Sequence, residues 1–278
     1  MQNKPLIDVA TLQRWLSEAK DVKILDATID KVNQSIDADG KQAEYIPNSL
    51  FLDIEGKFSD HSNPLPHTMV DAKTFEQEAR SLGINADTIV VIYDRWGIYS
   101  SPRAWWMFRY MGHPETYVLH GGLAEWKSAG LPTTNIHESN TQIKEGNFVA
   151  KPISDWLTGK NDILEKLNTD VAIIDARSKG RFEGTAPEPR AGLRSGHIPG
   201  SSNLPFDNIL HGPHYQSEHD LHQVFEPILT DNQAIFTCGS GISAAILALA
   251  AYQIGHENIS IYDGSWSEWG ANDNLPVA

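Results

Sequence analysis

The chain has 278 residues, 40% of them hydrophobic and 21% charged, which excludes disorder as its main state and allows one large domain or two smaller ones. Its 22 basic and 36 acidic residues leave a net charge of −14, which opposes phosphate backbones and anionic lipid surfaces, so neither nucleic acid nor membrane is expected as a partner. The single cysteine, Cys238, excludes an intrachain disulfide and a thiolate-rich metal site, and it suits a reducing, cytoplasmic location.

The predicted elements alternate along the chain. Leu12, Trp15, Leu16 and Ala19 recur at helical spacing behind Asp8, a candidate N-cap. The strand Val22–Asp26 follows. Asp71 to Leu82 has the pattern of a helix stopped by Gly83, and Thr88–Tyr93 that of a buried strand. Ser101–Met111 is an aromatic-rich helix closed by Gly112, and Tyr117–Leu119 a short strand. Trp105, Trp106, Phe108 and Tyr110 are expected in the core or at a domain interface. No apolar run reaches the roughly 20 residues that a membrane-spanning helix needs. No apolar signal core follows the N-terminus.

The second half repeats the first in the same order and at a nearly constant offset. Val22-Lys23-Ile24-Leu25-Asp26-Ala27 corresponds to Val171-Ala172-Ile173-Ile174-Asp175-Ala176, and Tyr45-Ile46-Pro47 to His197-Ile198-Pro199. Met111-Gly112-His113 corresponds to Ile254-Gly255-His256, and Gly121-Gly122-Leu123-Ala124-Glu125-Trp126 to the Asp263–Trp269 stretch. Such self-similarity implies two domains of one fold. The expected division is residues 1–135, a polar linker at 136–150 long enough to wrap over one domain, and residues 151–278. Strand–helix alternation gives an α/β class with mainly parallel sheets and helices on both faces, and ligands at the carboxyl ends of the strands.

Cys238 stands at such an end. It closes the strand Gln233–Thr237 and opens Cys238-Gly239-Ser240-Gly241-Ile242-Ser243, with a helix after it. The glycines let the backbone curl its N–H groups inward, and the helix N-terminus adds partial positive charge. Both suit a negatively charged sulfur nucleophile. A small buried cysteine is the alternative. Three rival chemistries fit less well. Gly239 to Ala244 satisfies a dinucleotide fingerprint, but too little chain follows it for a nucleotide-binding sheet. A cysteine phosphatase needs an arginine where Ala244 stands. No local signature of a thiol protease is present.

These residues, with Gly196-His197-Ile198-Pro199-Gly200 and Gly264-Ser265-Trp266-Ser267-Glu268-Trp269, resemble the tandem-rhodanese sulfurtransferases over essentially the whole chain. The resemblance implies two rhodanese-like α/β domains with catalysis in the second, at a cleft between them. Asp94 holds the place of the cysteine in the first. The loop is similar to the Cys-Gly-Ser-Gly-Val-Thr of mercaptopyruvate-using members, with Ile242 and Ser243 as mild departures, and unlike the Cys-Arg-Lys-Gly of thiosulfate users.

The resemblance further implies that Gly239, Gly241, Ile242 and Ser243 line the substrate. Arg181 and Arg190, in Gly180-Arg181-Phe182-Glu183-Gly184-Thr185-Ala186-Pro187-Glu188-Pro189-Arg190, would clamp its carboxylate and carbonyl. A relay of Ser240 and His67 would handle protons, with Glu55 assisting or Asp53 in its place; His61 is an alternative histidine, and Arg194 is expected to be a surface residue.

The implied reaction passes a sulfur atom from a small-molecule donor, through a Cys238 persulfide, to thioredoxin, a small thiol or cyanide. No cofactor and no metal is implied. Thiosulfate as the donor, or a non-catalytic module that binds a partner or senses oxidants, are the alternatives. His211, His214, His219 and His222 form two H-x-x-H pairs that are expected to be solvated rather than metal ligands.

Overall fold

The computed structural model describes residues 4–139, 143–230 and 232–278. The chain divides into two compact units, neither of them continuous in sequence. The first comprises residues 1–59, 70–152 and 212–215; the second comprises 60–69, 153–211 and 216–278.

In the first unit the strands are β1 (Leu6–Ile7), β2 (Val22–Asp26), β3 (Ser49–Phe51), β4 (Ile89–Tyr93) and β5 (Thr116–Leu119), and the helices are α1 (Val9–Ser17), α2 (Ala72–Ser81), α3 (Ser101–Tyr110) and α4 (Gly122–Ser128). The second unit carries β6 (Leu157–Thr158), α5 (Lys160–Lys166), β7 (Ala172–Asp175), α6 (Lys179–Phe182), β8 (Ser202–Asn203) and β9 (Leu210–His211). The short strand β10 (His214–Tyr215) belongs to the first unit, where Tyr215 N donates to His120 Nε2 at 2.9 Å. The second unit continues with α7 (Glu218–Phe225), β11 (Ala234–Thr237), α8 (Ile242–Gln253), β12 (Ile259–Tyr262) and α9 (Ser265–Trp269).

The two sheets have one topology. The order is β1-β5-β4-β2-β3 in the first and β6-β12-β11-β7-β8 in the second, and every pair in both is parallel. Each strand of one sheet thus has a counterpart in the other, as a duplicated sequence requires. All four residues of β5, β11 and β12 are buried, so both faces of those strands are covered, the condition under which parallel sheets occur. The sheet order leaves β11 flanked by β12 and β7, so their carboxyl ends meet at one edge.

Local chemistry explains the element ends. Asp8 accepts from Thr11 N and Asp71 from Thr74 N, both at 2.8 Å, capping α1 and α2. Ala19, expected within the first helix, lies beyond it with φ 53°, because α1 ends at Ser17. Helix α8 begins two residues before the apolar run and is buried on nearly all sides from Ile242 to Tyr252. Trp105, Trp106 and Phe108 are within 1% of full burial in the first unit. The stretch expected as a linker runs along the first unit. Gly146 N donates to Arg80 O, Phe148 N donates to Ile84 O with its ring buried, and His137 pairs with buried Asp26 at 2.9 Å. Residues 140–142 of that stretch lie outside the described residues. Among the described residues, no helix is long and apolar enough to cross a membrane.

Candidate active site

Cys238 follows β11 directly and is 1% exposed. Its N–H donates to Ser265 Oγ at 3.3 Å, and its carbonyl accepts from Trp266 N at 2.9 Å. The next carbonyl, that of Gly239, accepts from Ser267 N at 3.0 Å and Ser267 Oγ at 2.6 Å. The start of α9 therefore holds the backbone on which the sulfur is mounted. Ser265 itself has φ 49°, an uncommon conformation for a serine, with its hydroxyl donating to Tyr262 O at 2.8 Å.

The loop then turns back over the sulfur. Gly241 adopts φ 83°, which costs glycine nothing and a side-chain-bearing residue about 1–2 kcal/mol. In that conformation its N–H donates to Cys238 Sγ at 3.1 Å. Ile242 and Ser243 open α8, so the sulfur also faces the positive end of a twelve-residue helix. Ser240 is 7% exposed, Ile242 is buried, and Gly239 and Ser243 are half-buried.

Arg181 and Arg190 meet at this loop. A methyl group placed on Gly239 would lie 3.0 Å from Arg181 Nη2 and 3.9 Å from Arg190 Nη1, so position 239 brings the backbone close to both guanidiniums. Arg190 has no hydrogen bond or ion pair among the described residues. Arg181, at the end of the four-residue α6, is held from behind: Nε lies 3.2 Å from both Glu188 carboxylate oxygens, and Nη2 lies 2.6 Å from Oε2.

Glu188 also accepts from Arg177 Nη1 at 2.8 Å. Arg177 is fully buried, paired with Asp175 at 2.7 Å, bonded to Gly196 O at 2.9 Å, and stacked 4.2 Å above the Trp266 ring. From the sequence, Arg177 and Glu188 had no assigned role, and Ser265 was expected only to serve packing. Glu188 could have been suspected, since a carboxylate seven residues from Arg181 within one loop is a natural partner.

Other expectations resolve as follows. His67 is half-buried in the 60–69 segment and has φ 59°; that segment belongs to the same unit as Cys238. Two residues on, Met69 N donates to Asp263 Oδ2 at 2.9 Å, just past β12. His61 is exposed in the same segment.

Glu55 and Asp53 belong to the first unit instead. Glu55 borders a cavity of about 410 Å³ with Asp26, Asp30, Asp37, Arg95 and His137, and its acid is pushed up by burial and by Asp30 and Asp53. Asp53 accepts from Gly56 N. The boundary between the two units falls at residue 60, between Glu55 and the His67 segment. Arg194 is not a free surface residue: it donates to the carbonyls of Trp269, Gly270, Asn272 and Leu275 and so ties down the chain after α9. His214 pairs with Glu125 and His219 with Gln223, and no group of three potential metal ligands occurs among the described residues.

In the first unit Asp94 takes the place of Cys238, directly after β4. Its buried carboxylate accepts from the N–H groups of Trp96, Tyr99, Ser100 and Ser101 and from Ser101 Oγ, at 2.7 to 3.0 Å. The loop that faces a sulfur in one unit is filled by the chain's own carboxylate in the other.

The rhodanese-like domain family matches the chain twice, over residues 2–129 and 160–272. The chain is 38% identical over 274 residues to the 3-mercaptopyruvate sulfurtransferase of Escherichia coli (strain K12), covering 95% of each. It is 36% identical over 303 residues to thiosulfate/3-mercaptopyruvate sulfurtransferase 1 of Arabidopsis thaliana, covering 99% of this chain and 78% of the relative. The crystal structure of the Tum1 protein from Saccharomyces cerevisiae superposes with a TM-score of 0.86 at 29% identity, covering 99% of this chain and 97% of that one. Two matched domains, one sheet topology used twice and full-length likeness to sulfurtransferases make this chain a member of the rhodanese-like domain family, as a two-domain sulfurtransferase.

Proposed function

We propose that the protein transfers the sulfur of 3-mercaptopyruvate through a persulfide on Cys238. The observation that carries this reading is the meeting of Arg181 and Arg190 at Gly239, beside a sulfur that already accepts an N–H from Gly241. Guanidinium forks suit the adjacent carboxylate and carbonyl of a 2-oxo acid. The Escherichia coli relative is named for the same donor, and the Arabidopsis relative for thiosulfate and 3-mercaptopyruvate together.

The Cys238 thiolate attacks the sulfur of the bound donor, and a sulfur–sulfur bond forms as the carbon–sulfur bond breaks. The bonding pair leaves with the three-carbon fragment as the enolate of pyruvate, which takes a proton at its methylene carbon. Cys238 is left as Cys–S–SH. In the second half-reaction an acceptor thiolate attacks the outer sulfur and carries it off, and the Cys238 thiolate is restored. Thioredoxin, a small thiol or cyanide would serve as acceptor.

Ser240, buried in the loop, and His67, in the same unit, are proposed as the proton relay. The half-buried Ser243 and buried Ile242 would line the donor together with the two glycines. Glu55, or Asp53 in its place, is proposed to assist that relay from the first unit.

The test is pyruvate release from 3-mercaptopyruvate by the purified protein with a thiol acceptor, run beside thiosulfate, with intact mass read in the absence of acceptor. The expected result is pyruvate release and one added sulfur atom on Cys238, both lost in Cys238→Ser. Turnover of thiosulfate alone, or turnover by the Cys238→Ser variant, would overturn the reading.

A further inference from the structure

We propose that Glu188 is a positioning residue that sets the charge of donor the site accepts, by aiming Arg181 at the cysteine loop and cancelling one of the positive charges there. The inference rests on the sulfurtransferase reading above and deepens it.

Three guanidiniums, those of Arg177, Arg181 and Arg190, gather behind and beside Gly239. Two carboxylates, Asp175 and Glu188, answer them. Arg177 is matched by Asp175 through Nε and Nη2, with both side chains within 1% of full burial. Glu188, its side chain 2% exposed, is matched to Arg181 on both of its oxygens, and Arg177 Nη1 fixes it from the other side. Among the described residues, Arg190 alone of the three is left without a counter-charge. The set thus presents close to one unmatched positive charge at the loop where Cys238 stands.

A donor with one carboxylate, such as 3-mercaptopyruvate, balances that charge. Thiosulfate, a dianion at neutral pH, brings a second negative charge toward the Glu188 carboxylate, which burial keeps poorly screened. The same contacts fix geometry. With Nε and Nη2 bonded to Glu188, the Arg181 fork is held with Nη2 the nitrogen nearer to Gly239, and the side-chain entropy of aiming it is already lost in the free protein.

The two roles separate by substitution. Glu188→Gln keeps the shape and one acceptor oxygen but removes the charge. The ratio of kcat/KM for thiosulfate to that for 3-mercaptopyruvate is expected to rise about tenfold, allowing for the partial exposure of Arg181. Glu188→Asp keeps the charge and withdraws it by one methylene. Here KM for 3-mercaptopyruvate is expected to rise while the donor ratio stays at the wild-type value.

An unchanged ratio in Glu188→Gln would overturn the proposal. So would an equal loss with both donors, or a shift in Glu188→Asp as large as that in Glu188→Gln. Calorimetric titration of wild type and Glu188→Gln with pyruvate and with sulfate supplies a readout that needs no turnover. The sulfate-to-pyruvate affinity ratio must rise in the variant, and failure to rise overturns the proposal. A wild-type protein that turns over neither donor, while this ratio does rise, would remove the reaction and leave the charge selection standing.

Discussion

Replacing Asp94 tests whether the two cradles are built alike. Its carboxylate is fully buried and accepts four backbone N–H groups and one hydroxyl. In Asp94→Ala, Trp96 and Tyr99, which are half-buried residues, are expected to regain water at their N–H groups, whereas Ser100 and Ser101 are fully buried and are not. Two stranded donors at about 1–3 kcal/mol each give about 2–6 kcal/mol. The lost anion at the start of α3 adds about 0.5 kcal/mol. Relief of the buried carboxylate's desolvation returns part of this, so the net cost is about 3 kcal/mol, or a Tm lower by on the order of 10 °C. Asp94→Asn keeps an acceptor oxygen for the backbone donors and loses the charge, and about half that cost is expected. Urea unfolding followed by tryptophan fluorescence and circular dichroism measures both variants. A cost under about 1 kcal/mol for Asp94→Ala would refute the view that the loop N–H groups depend on an anion.

Three further outcomes follow from the same geometry. Arg190→Ala should leave the Tm unchanged, since Arg190 is bonded to nothing in the described fold, and should raise KM for 3-mercaptopyruvate by about tenfold or more, the worth of a charge-assisted hydrogen bond; an unaltered KM in steady-state assays would contradict the clamp. Gly241→Ala forces a side chain into φ 83° and misaligns the N–H on Cys238 Sγ, so persulfide formation in single-turnover mass spectrometry should slow by about tenfold, and wild-type rates would sink the idea. Burial holds the imidazoles of His113 and His120 below their ordinary range, the charge of His214 adding to the effect at His120. Both histidines therefore stabilise the fold above the unfolded histidine pKa of about 6.5, and that contribution is lost as pH falls below it. The urea midpoint should drop between pH 7.5 and 5.5, and His113→Gln should flatten the drop; an unchanged slope would show that His113 is not its source.

The cysteine loop and its setting were legible from the residues alone. A buried strand ending in Cys238, two glycines and an apolar helix form a local pattern, and local patterns survive translation into structure because their hydrogen bonds close within a few residues. The repeat was legible for the same reason, and the shared strand order of the two sheets follows from it. The convergence of Arg181 and Arg190 came from family resemblance rather than spacing, since nothing in their separation aims them at Gly239. Arg194 looked like a spare surface cation because its four carbonyl partners lie some eighty positions further on. Glu55 was grouped with His67 by family resemblance, and nothing in the spacing of the two foretold that a unit boundary would fall between them at residue 60.

The sequence by itself thus determined the α/β class, the duplication and the loop that mounts the sulfur. Only the tertiary structure decided which charges face that loop and which are cancelled. Arg177, Glu188 and Ser265 acquire their roles through contacts with Asp175, Arg181 and Cys238 that form once β7, β11 and α9 are packed at one edge of the sheet. Backbone preference is a property of a short segment, whereas the energy of a charge depends on every group that folding brings within a few ångströms of it.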